Sequence, residues 1–139
     1  MKRFFPSIFL AFILVLTVVT TAMAAPTPVT TITLVQGLPA TMNVGETYTV
    51  IVQVESDLEF NTVQALPSFM FPGKGVVAVQ GGDHAGRGTS ATLKVTFQAK
   101  SSTANFPGGG VAPVHVVVGV RYVGGFVAVQ DFLFNVTVP

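Results

Sequence analysis

The chain has 139 residues, a formal charge of +1, no Cys and no Trp, with 50% of its residues hydrophobic and only 9% charged. That length holds one domain once any leader is set aside, so a multidomain enzyme is excluded. So little charge excludes a disordered acidic or basic tail and argues against nucleic acid as a partner, while 14 Gly and 9 Pro with few Glu and Lys speak against a helical bundle.

Lys2 and Arg3 open the chain, an apolar run follows from Ile8 to Val19 interrupted by Thr17, and Thr20-Thr21 leads to Ala22-Met23-Ala24. This is the order of a secretory signal peptide over residues 1–24, with small residues at both positions the peptidase reads, and it predicts cleavage after Ala24. The competing reading is a retained anchor, but the run falls short of the roughly 20 residues a spanning helix needs. No second apolar helix follows, and the chain stops beside its last predicted strand. The expected product is therefore secreted, extracellular or periplasmic, with no stable membrane anchor and no sorting signal or stalk. Removing Lys2 and Arg3 from the seven basic residues leaves five against six acids, a charge of −1. With no disulfide available, stability must come from the core.

Ala25 to Val29 reads as an extended spacer, because each Pro removes a backbone donor and fixes φ. From Thr30 onward the dominant pattern is alternation. In Thr89 to Lys100, Ala91, Leu93, Val95, Phe97 and Ala99 fall on one face and polar residues on the other. The same period places Tyr48, Val50, Val52 and Val54 inward. It does so again for Val114, Val116, Val118, Val120 and Tyr122, and for Phe132, Phe134, Val136 and Val138. Glycine- and proline-rich punctuation separates seven predicted strands: Thr30 to Gln36, Glu46 to Glu55, Phe60 to Ala65, Gly75 to Gln80, Thr89 to Lys100, Ala112 to Tyr122, and Phe126 to Val138. Alternation fails between Asp57 and Phe71, where Pro67 intrudes. Seven short strands without a helix predict an all-β, seven-stranded antiparallel sandwich over residues 30–139, with a small closed barrel as the second architecture.

The segments Asn43-Val44-Gly45-Glu46-Thr47-Tyr48-Thr49-Val50 and Asp131-Phe132-Leu133-Phe134-Asn135-Val136-Thr137-Val138 are similar to the turn into the second strand and to the last strand of immunoglobulin-like or fibronectin-like domains in prokaryotic secreted proteins. The resemblance covers most of the chain after the leader and implies a sandwich architecture. The antibody-type Cys, Trp and Cys core is absent, and the architecture does not fix a function.

Candidates for chemistry are few. His84 and His115 are the only bases with an ordinary pKa near neutrality, and neither a G-x-S-x-G nor a His-Glu-x-x-His arrangement occurs. His115, on an outward strand position, reads as a solvated imidazole. In Gly81 to Gly88, Asp83, His84 and Arg87 form a candidate ligand loop, since glycines expose N–H groups and Arg87 adds charge. The loop leads into a strand rather than a helix, which favours a plain hairpin connection. Glu55, Asp57 and Glu59, two apart, offer a candidate calcium site, against which stands an acidic edge that keeps neighbouring strands from pairing. No cofactor is expected. Asn135-Val136-Thr137 matches a glycosylation tripeptide too short to be informative.

Val117 and Leu133 fall on outward positions of the last two strands, with Val127 or Val129 beside them, and mark a candidate docking face. The expected function is a secreted, non-catalytic module that binds a protein or glycan at the cell surface or lends structural support. Two alternatives are a self-associating surface or filament subunit that donates Thr30 to Gln36 to a neighbour's sheet, and a metal-dependent or hydrolytic enzyme.

Overall fold

The computed structural model describes residues 24–69, 77–107 and 109–139. Its elements are β1 (Thr30–Gln36), β2 (Thr47–Phe69), β3 (Val77–Gly81), β4 (Asp83–Ala85), β5 (Gly88–Ala99), β6 (Ala112–Tyr122) and β7 (Val127–Val136). All pairings between these strands are antiparallel. The predicted leader, apart from Ala24, lies outside the described residues, as does the start of the strand expected at Gly75. Among the described residues no helix is long and apolar enough to cross a membrane.

The chief departure from expectation is β2. The strands predicted at Glu46 to Glu55 and Phe60 to Ala65 are one continuous strand of 23 residues. Its first half pairs with β1 on one side, Ile32 opposite Val54, and with β5 on the other, Val54 opposite Ala91. Its second half pairs with β4, Ala85 opposite Val63, and with β6, Val120 opposite Val63. β3 extends the first group beyond β5, and β7 extends the second beyond β6. One long strand thus carries two sets of neighbours.

A register shift between Phe60 and Thr62 explains why alternation fails there. On β6 the partner advances one residue, Tyr122 to Arg121, while β2 advances two, so Asn61 is an extra residue bulged out of the ladder. Upstream of it even-numbered residues point inward (Val50, Val52, Val54, Phe60), and downstream odd-numbered ones do (Val63, Ala65). Because the side-chain period is two, a single inserted residue exchanges the faces.

Both halves of β2 contribute to one core, with Leu93, Val95 and Phe97 from β5, Val114 to Val120 at alternate positions from β6, and Val136 and Val138 from the C-terminal segment. The inward sets expected for β5 and β6 are buried, with Ala91 at the start of β5 half-buried. Each buried valine contributes on the order of 1.5–3 kcal/mol by leaving water. Phe60 and Phe97 are the largest fully buried side chains, so truncating Phe97 to Ala would cost roughly 3–5 kcal/mol.

Polar ties close the ends. Tyr122 sits opposite Phe60 beside the β2 register shift, where its hydroxyl donates to Ser56 Oγ at 2.7 Å and shares a hydrogen bond with Thr30 Oγ1. Buried Thr103 accepts the Val138 N–H through Oγ1 at 2.9 Å and donates its own N–H to the Val138 carbonyl at 2.8 Å. The β6–β7 hairpin turns through Gly124 and Gly125, at φ of 98° and 91°, a backbone region that side chains rarely enter.

Candidate functional site

The candidate ligand loop contains the short strand β4. Asp83–Ala85 is a strand, with His84 opposite Gln64 and Asp83 opposite Ala65, so its backbone takes part in a ladder with β2. The Asp83 carboxylate accepts the His84 N–H at 2.9 Å and the Lys94 N–H at 2.8 Å. β3 ends its pairing with β5 at Gly81 opposite Thr96, and Asp83 thereby caps the next β5 amide facing that side. Gly82 makes the crossing between the two groups of strands, where an added Cβ would meet the Ala65 carbonyl oxygen at 2.8 Å. Arg87 is exposed and lies 3.6 Å from Glu59. The side chains of Asp83 and Arg87 thus take separate partners.

The three carboxylates proposed for calcium occupy exposed alternate positions of β2 but take separate partners. Glu55 accepts from Gln53 Nε2 at 2.9 Å, Asp57 Oδ1 accepts the Val29 N–H at 2.8 Å, and Glu59 faces Arg87. Among the described residues no group of three or more His, Asp or Glu side chains is placed to hold a metal ion. The Val29–Asp57 bond, with the Asp57 N–H returned to the Val29 carbonyl at 3.3 Å, ties down the end of the expected spacer. Pro26 and Pro28 of that spacer wall a shallow pocket of about 220 Å³ with Leu58, Glu59, Tyr122 and Phe126.

The outward face formed by the second half of β2 with β6 and β7 is where candidate residues meet. Three cross-strand rows run over it: Gln64, Gly119 and Val129; Leu66, Val117 and Asp131; Ser68, His115 and Leu133. Leu133 is 54% exposed, Val129 63% and Leu66 48%, while Val117 is half-buried between neighbours. Val117 and Leu133 are thus diagonal neighbours on adjacent strands, as the docking-face reading requires. Leu66 escaped sequence reasoning because its outward position depends on the Asn61 bulge; a consistent parity on Val63 and Ala65 was the available signal.

His115 departs from the solvated imidazole expected of it. Its side chain is only 19% exposed, and its Nδ1 lies 2.8 Å from Asp131 Oδ2. Its Nε2 is buried and, among the described residues, has no hydrogen-bond partner. Ser68 stands directly opposite in the ladder, yet no hydrogen bond joins it to that nitrogen. The row therefore lacks the nucleophile-to-base bond of a serine relay.

No family model matches the chain, and no curated protein does. A search of solved structures finds a likeness to the native conformation of Escherichia coli alpha-2-macroglobulin, with a TM-score of 0.45 and 17% identity, covering 84% of this chain. The chain spans only 7% of the length of that protein.

Proposed function

We propose that the protein is a secreted, non-catalytic immunoglobulin-like module that docks on a protein or glycan at the cell surface through the outward face of β2, β6 and β7. In this reading the two groups of strands joined by β2 are the two layers of a sandwich, and the first 24 residues are a leader removed on export. The observation that carries it is the exposure of Leu66, Val129 and Leu133 on three adjacent strands, with Val117 among them. A rigid strand scaffold presents these side chains in fixed positions, and a cluster of exposed aliphatics on such a support suits a partner surface.

The test is expression of the full chain in a host that exports it, followed by N-terminal sequencing and measurement of retention on the host's cell-envelope or matrix fraction. The mature chain should begin at Ala25, and Leu133→Lys should release it from that fraction without altering its melting temperature. Equal retention of the variant and the parent removes the docking face from consideration.

Self-assembly by donation of Thr30 to Gln36 fits less well. β1 is seated in its own sheet along β2 and held by the Thr30–Tyr122 hydrogen bond.

A further inference from the structure

We infer that the outer edge of β7 pairs with the β7 edge of a second copy, antiparallel, across a two-fold axis. The inference concerns the backbone edge of β7 and stands apart from the docking face, which is a matter of side chains.

Antiparallel strands direct successive residues' N–H and C=O groups to alternate sides. The Tyr122 N–H donates to the Phe126 carbonyl at 2.9 Å, so even-numbered residues of β7 face β6. Thr137, by contrast, bonds away from β6, giving its N–H to Ala40 and accepting from the Met42 N–H. Odd-numbered residues from Val127 to Asn135 therefore aim their backbone groups at the free side. No described strand pairs there, and the Asp131 carbonyl is met only by the side-chain amide of neighbouring Gln130 at 3.1 Å.

Exposed edges of native sheets are ordinarily blunted by shortness, bulges, charge or Pro. The other edges of this sheet are: β4 has three residues, β3 has five and a register shift, and β1 shifts register between Leu34 and Gln36. β7 has ten residues, pairs with β6 without a shift, and contains no Pro, Lys or Arg. Its one charge, Asp131, is held by His115 on its own β6.

A second copy suits this edge. The bridge of Thr41 to Thr137 blocks the C-terminal end, which restricts a two-fold pairing to registers set toward the hairpin. A register with two Asp131 residues opposite each other is disfavoured by like charge. One register that meets both conditions sets Val129 opposite the partner's Asp131 and Val127 opposite the partner's Leu133. It pairs the free backbone groups of Val127, Val129, Asp131 and Leu133 in both copies at once and makes one apolar face from two.

The full chain, expressed with its first 24 residues and purified as the cell processes it, should show a reversible monomer–dimer equilibrium by sedimentation over a dilution series. Val129→Pro removes an outward N–H that β6 does not use, and should weaken the dimer by about tenfold or more. Should that variant fail to fold, hydrogen exchange on the unaltered chain decides: the Val129, Asp131 and Leu133 amides should slow as concentration rises. A chain monomeric throughout the series, or a dimer whose β7 amides exchange at the same rate at every concentration, overturns the inference.

Discussion

The Asp83 carboxylate accepts the backbone N–H of Lys94 at 2.8 Å, so one side chain completes the hydrogen bonding of β5 at the point where β3 leaves it. Asp83→Ala should cost about 1.5–3 kcal/mol, the range for a hydrogen bond to a charged group, and lower the melting temperature by several degrees. His84→Ala, at the exposed position beside it, should stay within about 0.5 kcal/mol. Thermal denaturation of the two variants separates a structural loop from a ligand site, for which both would matter only to binding.

Tyr122 ties the middle of β2 through Ser56 and holds β1 through Thr30. Tyr122→Phe keeps the ring against Phe126, whose centroid lies 5.9 Å away, and removes only the hydroxyl. Urea denaturation should register a loss of about 1–2 kcal/mol. Amide exchange should quicken in β1 well before it does in β6, because β1 loses a tie to the rest of the fold.

Asn61 is exposed, and its side chain is not what the bulge requires. Asn61→Ala should change stability by less than about 0.5 kcal/mol. Deleting the residue should abolish folding, since it would turn Val63 and Ala65 outward or break the ladder with β6. Soluble yield and circular dichroism check both outcomes, and a well-folded deletion variant would contradict the bulge assignment.

Glu46 accepts the Asn43 N–H at 2.8 Å and the Asn43 side-chain amide at 3.0 Å, and these bonds hold its carboxyl below the ordinary 4.5. A depressed carboxylate stabilises the fold above its unfolded-chain pKa, and that contribution fades as pH falls through the folded value. Tyr48, which donates to Glu46 at 3.2 Å, is raised above 10.0 by that same bond, so its share is present below pH 10 and fades as pH climbs. Glu46→Gln should flatten the stability profile at both ends, most visibly in acid-unfolding curves read below the ordinary carboxylate range.

Alternation alone located the core-facing residues of β5, β6 and β7, because a strand half-buried in a sheet must repeat with a period of two and the polar residues between them mark the wet side. Val95, Phe97, Val114, Val116 and Val136 are all buried as that pattern requires. Pairing partners, the continuity of β2 through its register shifts, and the strand at Asp83–Ala85 arise from contacts between residues far apart in the chain, which local periodicity does not encode. Asn61 shows the limit best: one residue left unpaired against β6 reverses inside and outside for everything after it in β2. The same contacts made His115 a partner of Asp131 and brought Leu66 beside Val117, so the composition of the outward face was settled by strand register.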